Sequence, residues 1–427
     1  MTSVLIPKSN LKVLGRVFRM HRIHKGYSIR GIARSENISH TVISDIENGK
    51  VYPNIDTLVS LFKHVGVELW ADEEDLFAVY EDLNLLNETV YYREDDYAKN
   101  IYARLEEKHD KLFYSLLMVD YTLARCLYKS VYLQDYDNEQ LNRLEHFYKH
   151  FSTEQKEKFN LIKGTNLFRV YKPQEAINYL KRNLELNGNQ KAVAISLSYI
   201  SESYKHLFHA YNAIDYGKQA SEKHGANANL VRKIRSDAVV IDMLIDMERF
   251  EEAQQLLNSL TLTIDETELE MTPTRRYFDF LKPYMLFRQG KPKDAYDVLI
   301  KQEYKIPSYY FFKAEILLAL KRHDEAADVL DKSLTYDFVQ ADFVYSRLNK
   351  LFYHYLKQEF NVGNYEDLID ELLEKPHFFE DFMVFRFACQ IGIAFYEANK
   401  NYVKALEFAK KCMNISVLGF DANQNRL

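Results

Sequence analysis

Apolar residues recur at helical spacing through almost the whole chain. Near the start, Leu11, Leu14, Val17, Phe18 and Ile23 give a helix over residues 10–25 one inward face, with Arg16, Arg19 and Lys25 outward and Gly26 as its stop. Ile29, Ile32 and Ala33 then fall at i, i+3, i+4, behind Ser28, whose hydroxyl suits a helix N-cap. Glu36, Asn37 and Ile38 leave room only for a tight turn, and Asn tolerates the left-handed conformation such a turn needs. Ser39 caps a second short helix that carries Val42, Ile43 and Ile46 inward and ends at Asn48-Gly49. Asn54 caps a further helix over 55–64, whose Ile55, Leu58, Val59, Leu61 and Phe62 close a small core. Residues 70–87 read as a connecting helix with an acidic start. Beyond residue 91 the pattern becomes helical pairs with no extended alternation of β type, and 13 Gly and 8 Pro are few for 427 residues.

Charge divides the chain. Residues 1–70 hold ten Lys/Arg against five Asp/Glu, so a head of +5 precedes a remainder of −11 within a net −6. A basic head suits phosphate and an acidic body does not. Cys126, Cys389 and Cys412 are widely spaced, without C-x-x-C, and read as reduced, buried thiols rather than metal ligands. No apolar run reaches membrane-spanning length and no signal peptide is evident, so a cytoplasmic protein is expected. Phosphate-loop, zinc-protease and nucleophile-elbow motifs are missing, the His pairs at 146/150 and 206/209 lack further ligands, and neither catalysis, metal nor cofactor is expected.

Two short helices joined by a turn of three to four residues form the unit that reads DNA, its second helix in the major groove. The stretch YSIRGIARSENISHTVISDIENG at 27–49, flanked by LGRVFRMHRIHKGYS and VYPNIDTLVSLFKHVGVEL, closely resembles the DNA-binding domain of the Xre/Cro/phage-repressor family. The resemblance implies base reading by His40 and Thr41, with Ser39, Ser44 and Asp45 completing the groove-facing surface. It implies a structural ion pair between Arg22 and Glu47. Arg16, Arg19, Asn48 and Lys50 are the expected phosphate contacts, with backbone N–H groups of the 48–50 loop facing the same phosphate. Two departures stand out. Asp45 and Ile29 occupy positions where many relatives carry Arg or Gln; Asp45 is expected to accept from a base donor or to pair with a neighbouring cation of the protein.

Behind the head, a phrase of short turn, acidic or polar residues, small residue and helix recurs around Ala98, Leu141, Ala176, Ala213, Ala253, Ala295, Ala326, Leu368 and Ala405, at spacings of 31 to 43 residues. Such periods mark helix–turn–helix solenoids, and the small residue is needed where two helices approach closely. The repeats resemble degenerate tetratricopeptide repeats. The expected fold is all-α: a five-helix head over 1–70, a linker helix over 71–90, and a right-handed α-solenoid of tetratricopeptide-like hairpins over 91–427 that senses a ligand and dimerises. Head followed by repeats resembles the Rgg/PlcR-like (RNPP) peptide-sensing regulators. That resemblance implies operator binding controlled by a short signalling peptide in the concave groove, and a homodimer on double-stranded DNA. Inner-face positions include Thr165, Lys205, Asp242, Tyr284 and Arg288; Arg169, Glu202 and Arg235 are the expected peptide contacts, with inter-repeat ion pairing as the alternative role for such charges. Phe378, Phe379, Phe382, Phe385 and Phe387 suggest an apolar dimer patch. The competing function is a DNA-tethered scaffold whose repeats hold a protein partner.

Overall fold

The computed structural model describes residues 8–410 except 93, 137–138, 266–272, 302, 337–342, 360–365, 368 and 370–381. Among the described residues the chain is helical, without strands; one isolated bridge pairs Trp70 with Ser115. Packing divides it into two compact units, Met1–Ser196 and Leu197–Leu427.

The first unit opens with α1 (Lys8–His24), α2 (Ile29–Ser35), α3 (His40–Glu47) and α4 (Ile55–His64). Residues 8–70 thus hold four helices rather than the expected five. The fifth, α5 (Glu73–Tyr92), begins after Asp72, whose carboxylate accepts from the N–H groups of Glu74 and Asp75. There follow α6 (Asp95–Glu106), α7 (His109–Phe113), α8 (Met118–Tyr132), α9 (Glu139–Glu145), a 3-10 turn (Tyr148–His150), α10 (Thr153–Arg169) and α11 (Pro173–Leu186). One continuous core runs from Val13, Phe18 and Phe62 of the head through Leu76, Leu83 and Leu86 of α5 to Leu123, Phe159 and Ile162 of the body. Head and body helices of this unit share one core, so its bounds do not follow the segments expected at residues 70 and 90.

A buried polar knot reinforces that seam. Asn10 donates to Asp120 (2.7 Å), Gln155 donates to the same carboxylate oxygen (2.9 Å) and to the Asn10 carbonyl (3.0 Å), and Ser9 donates to Gln155 (2.8 Å). Gln155 is also the third residue of α10, where it completes a capping box with Ser152. Burial pushes the Asp120 carboxyl above the usual range.

The boundary between units falls inside α12 (Gln190–His206). The second unit continues with α13 (Ala210–Ala226), α14 (Leu230–Asp246), α15 (Phe250–Asp265), α16 (Pro273–Arg288), α17 (Pro292–Leu299), α18 (Pro307–Ala319), α19 (His323–Leu334), α20 (Phe343–Lys357) and α21 (Phe382–Ala398). The repeat phrase has one structural meaning. Ala176, Ala213, Ala253, Ala295 and Ala326 are each the fourth residue of α11, α13, α15, α17 and α19, and each is fully buried. A larger side chain there would be driven into the preceding helix.

Each second helix is reached through a left-handed residue two positions before it: Tyr171, Phe208, Glu248, Gly290 and Lys321, with φ between 58° and 73°. The next N–H closes the preceding helix on a carbonyl five residues back, as in Lys172 to Leu167 (2.8 Å) and Arg322 to Leu317 (2.9 Å). Only one of these five residues is glycine, which is why glycine spacing gives no sign of the repeat.

Ala98, Leu141 and Ala405 are buried as the pattern predicts, whereas Leu368 lies outside the described residues. Cys126 is a free buried thiol, but Cys389 is disulfide-bonded, so the expectation of three reduced cysteines is incorrect. Phe378 and Phe379 of the expected dimer patch lie outside the described residues. Phe387 is buried in the core with Phe311 and Phe352 rather than exposed for a partner.

Candidate nucleic-acid interface

Local sequence builds the α2–turn–α3 unit as a rigid piece. Ser28 accepts from the Gly31 N–H (2.9 Å), Asn37 takes the left-handed turn (φ 52°), and Ser39 accepts from the Thr41 N–H (3.3 Å). Glu36 in the turn is tied to α4 by Ser60 and by His64 (2.8 Å). The Ser60 hydroxyl holds the Glu36 carboxyl below its ordinary range, with His64 adding to the effect. Beneath α3, Ile43 and Ile46 are buried against α1, where Gly15 is required: a Cβ there would stand 2.5 Å from the Ile46 carbonyl oxygen.

Ser39, His40 and Thr41 are exposed at the start of α3, and Ser44 and Asp45 are half-buried along it. These five share the solvent side of one short helix. Val42, expected inward, is instead 44 % exposed; at α3's pitch it falls between Asp45 and buried Ile46, at the edge of the outer face, adding an apolar group there. Ile23, also expected inward, is exposed at the end of α1. Asp45 lies 3.6 Å from Lys50, so a cation of the protein shares its charge.

Asn48 has a different part from the one expected. Its side chain donates to the Ser44 carbonyl (2.7 Å) and accepts from Arg19 (3.1 Å), while its backbone carbonyl accepts from Arg16 (3.2 Å). It thereby fixes two guanidinium groups beside the loop. The N–H groups of Asn48, Gly49 and Lys50 donate to Ser44, Ile46 and Asp45 carbonyls, closing the end of α3. These three amides are therefore engaged within the protein, with the side chains of Arg16, Arg19 and Lys50 beside them. Arg22 and Glu47 form the expected pair, doubly hydrogen-bonded (the second contact 2.9 Å) and nearly buried, and Arg22 also donates to the Tyr27 carbonyl (2.7 Å). The bond to Glu47 raises the Arg22 guanidinium's pKa despite burial.

The charges expected on the inner face are bonded within the protein. Arg169 donates to the Ser130 carbonyl (2.6 Å) and lies over the Tyr136 ring. In the second unit Arg235 of α14 grips Glu202 of α12 through two bonds, 2.9 and 3.2 Å. Burial alone would push the Glu202 carboxyl up, but Arg235 draws it below its ordinary value. Lys205 pairs with buried Asp242, which also accepts from Tyr277 (2.6 Å). Arg288 and Tyr284 both donate to Asp246. Glu202 and Arg235 are thus brought together as the inter-repeat alternative anticipates, while Arg169 is bonded within the first unit. The buried Asn10–Asp120–Gln155 knot carries no motif and no local spacing by which sequence could reveal it.

Among the described residues, no group of three His, Cys, Asp or Glu is placed to hold a metal, and no helix is long and apolar enough to cross a membrane.

A family model, helix-turn-helix (HTH_3), matches residues 18–69. The chain carries an Xre-type helix-turn-helix domain. Solved structures extend the likeness over the helical repeats. A Rap protein complexed with Competence and Sporulation Factor superposes with a TM-score of 0.64 at 16 % identity, covering 81 % of this chain and 99 % of that one. The apo quorum sensor NprR from B. thuringiensis gives 0.59 at 14 %, covering 80 % and 99 %. NprR in complex with its cognate peptide NprX gives 0.55 at 16 %, covering 79 % and 99 %. The chain is an all-α protein with a helical-repeat fold similar to these sensors. No curated protein matches it.

Proposed function

We propose that the chain is a transcriptional regulator whose operator binding is controlled by a short peptide held by the repeats. One observation carries the reading: an exposed His40-Thr41 pair opens α3 on a basic, rigidly built helix-turn-helix. Ser39, Ser44 and Asp45 complete the base-reading surface, and Arg16, Arg19 and Lys50 meet phosphates, with Asn48 positioning the arginines. Support for the peptide comes from the likeness to NprR, solved with its cognate peptide. One reading helix covers about half a site, so a homodimer on a two-fold operator is the expected assembly. A peptide that favours one arrangement of the repeats shifts the population competent for DNA. Control passes through the first unit's continuous core, which head and body helices share.

Because inner-face charges are already paired, a peptide competes with Arg235–Glu202 rather than meeting free ions; Arg169, Glu202 and Arg235 are the proposed contacts. The test is selection of duplexes from a random pool by the full chain, then a mobility shift across a salt series. Selected duplexes should bind with steep salt dependence, and His40→Ala/Thr41→Ala should lose selection while retaining salt-sensitive binding. Recovery of no enriched duplex would sink the reading.

A further inference from the structure

The turn Tyr148–His150 belongs to the body in sequence, yet it lies against the head's α3–α4 loop. A Cβ placed on Gly49 would stand 2.9 Å from the His150 ring, and Gly49 adopts φ 65°, so this close seat needs glycine twice over. The turn is fixed. His150 and Phe151 N–H groups donate to Phe147 and Tyr148 carbonyls, the Tyr148 hydroxyl accepts from Asn160 (3.0 Å), and its ring packs on Phe151 and Phe159. Lys149, between them, is exposed.

The surroundings are cationic. Besides desolvation, the charges that lower the His150 pKa are those of Arg16, Lys149 and Lys12, with no carboxylate among them. Lys12 also lies over the Tyr52 ring, 4.1 Å from its centre, just beyond the same loop. The nearest acids of the motif are engaged, Glu47 by Arg22 and Asp45 by Lys50. The Arg16 Nε and His150 Nε2 atoms are buried here without a hydrogen-bond partner. Like charges are held together on a rigid support, beside the loop that in a helix-turn-helix follows the reading helix. Such an arrangement is costly alone and relieved by an anion.

We propose that this turn extends the DNA-binding surface, with Lys149 contacting a backbone phosphate outside the footprint of the helix-turn-helix itself. The inference rests on the DNA-binding reading and deepens it: the unit that docks on the duplex is the head together with the first part of the body. Duplex DNA fits because its phosphates form a dense line of negative charge, about one per 1.7 Å of helix axis, which a row of cations on one rigid body can follow. Such a contact positions without reading sequence.

The test uses the full chain and a labelled random-sequence 30-base-pair duplex over a salt series. Lys149→Ala should weaken binding about three- to ten-fold at moderate salt, and the slope of log affinity against log salt should fall by about one. Lys149→Arg should restore both. Lys293→Ala, which removes the same charge from an exposed position in the second unit, should change neither. If wild-type binding is salt-dependent but Lys149→Ala leaves affinity and slope unchanged, or tightens binding, DNA binding stands and this inference falls. Wild type that binds no duplex at any salt overturns both.

Discussion

The two units solve the same problem, tying helices together, with contacts of different reach. In the second, the main inter-helix ion pairs join residues 33 to 42 positions apart, Arg235 to Glu202, Asp242 to Lys205 and Arg288 to Asp246, and a Lys205–Tyr277 bond reaches 72. Each ion pair links one repeat to the next, as expected of a quasi-one-dimensional stack. In the first unit, Asn10 reaches Asp120 and Gln155 at separations of 110 and 145 positions, and the hydrophobic core is continuous from α1 to α10. Contacts mostly between neighbours let a disturbance stay local. Contacts that span the sequence make the head share the fate of the body segment it sits on.

The sharpest way to break that comparison is in the head. Glu47→Ala leaves Arg22 nearly buried without its partner, and loss of one side of such a pair costs about 3–5 kcal/mol. Urea unfolding of the full chain should show the first unit's transition moving to lower denaturant, with the body helices α8 and α10 lost together with the head. Replacing both members by apolar residues should cost much less. Hydrogen exchange that shows the head melting while α10 stays protected would contradict the shared-fate view.

Much of this was legible beforehand, and the exceptions have one physical character. Caps at Ser28 and Ser39 and the buried Ala at the fourth position of each second helix are local or repeat-encoded, so residue type and spacing announce them, whereas the Arg22–Glu47 pair follows only from the family resemblance. Spacing places Val42 inward wrongly, because an eight-residue helix covered on one side leaves a wide outer arc that spacing alone does not assign. The roles of Asn48 and of His150 escaped because both depend on a partner from another element. Groove charges look free in sequence for the same reason: Glu202 and Arg235 sit 33 positions apart and meet only once the helices stack.

A pH series separates the units next. His224 in the second unit is fully buried beside Ser198 (2.9 Å), and burial lowers its pKa to about 3. A base whose folded pKa is depressed lends stability that is whole above its unfolded value, near 6.5, and drains as pH falls toward the folded one. The loss is about 1.4 kcal/mol per pH unit, so about 2 kcal/mol between pH 6.5 and 5. Asp120 acts in the opposite sense: its raised carboxyl pKa favours the first unit at low pH and that advantage is lost as pH rises through the folded value. Acidification to pH 5 should therefore weaken the second unit first, and His224→Gln should remove most of that sensitivity. Equal acid sensitivity in the variant would show that other groups control it.

Within the first unit, the polar knot is the smaller lever. Asn10→Ala deletes one donor to buried Asp120, leaving Gln155 as its remaining amide donor, and an under-satisfied buried acceptor costs about 1–3 kcal/mol. The loss should lie toward the lower end and should shrink in Asp120→Asn/Asn10→Ala, where no charge is left to solvate. A double-mutant cycle read from urea midpoints measures the coupling directly. Additive losses would mean that Asn10 acts by packing alone.

The mildest change probes the repeat turns. Lys321 and Gly290 occupy the same place before α19 and α17, with φ 61° and 73°, and Lys321 is exposed. A non-glycine residue in the left-handed region costs about 1–2 kcal/mol, partly offset by the extra unfolded-state entropy of glycine, about 0.5–1 kcal/mol. Lys321→Gly should therefore stabilise the second unit by about 0.5 kcal/mol, and Gly290→Lys should destabilise it by a similar amount, as shifts in the urea midpoint at unchanged slope. Because most contacts of the repeats are with their neighbours, both effects should stay in that unit. If Lys321→Gly weakens it instead, the lysine stem contributes packing that outweighs the backbone term, and the five turns are not equivalent despite their common geometry.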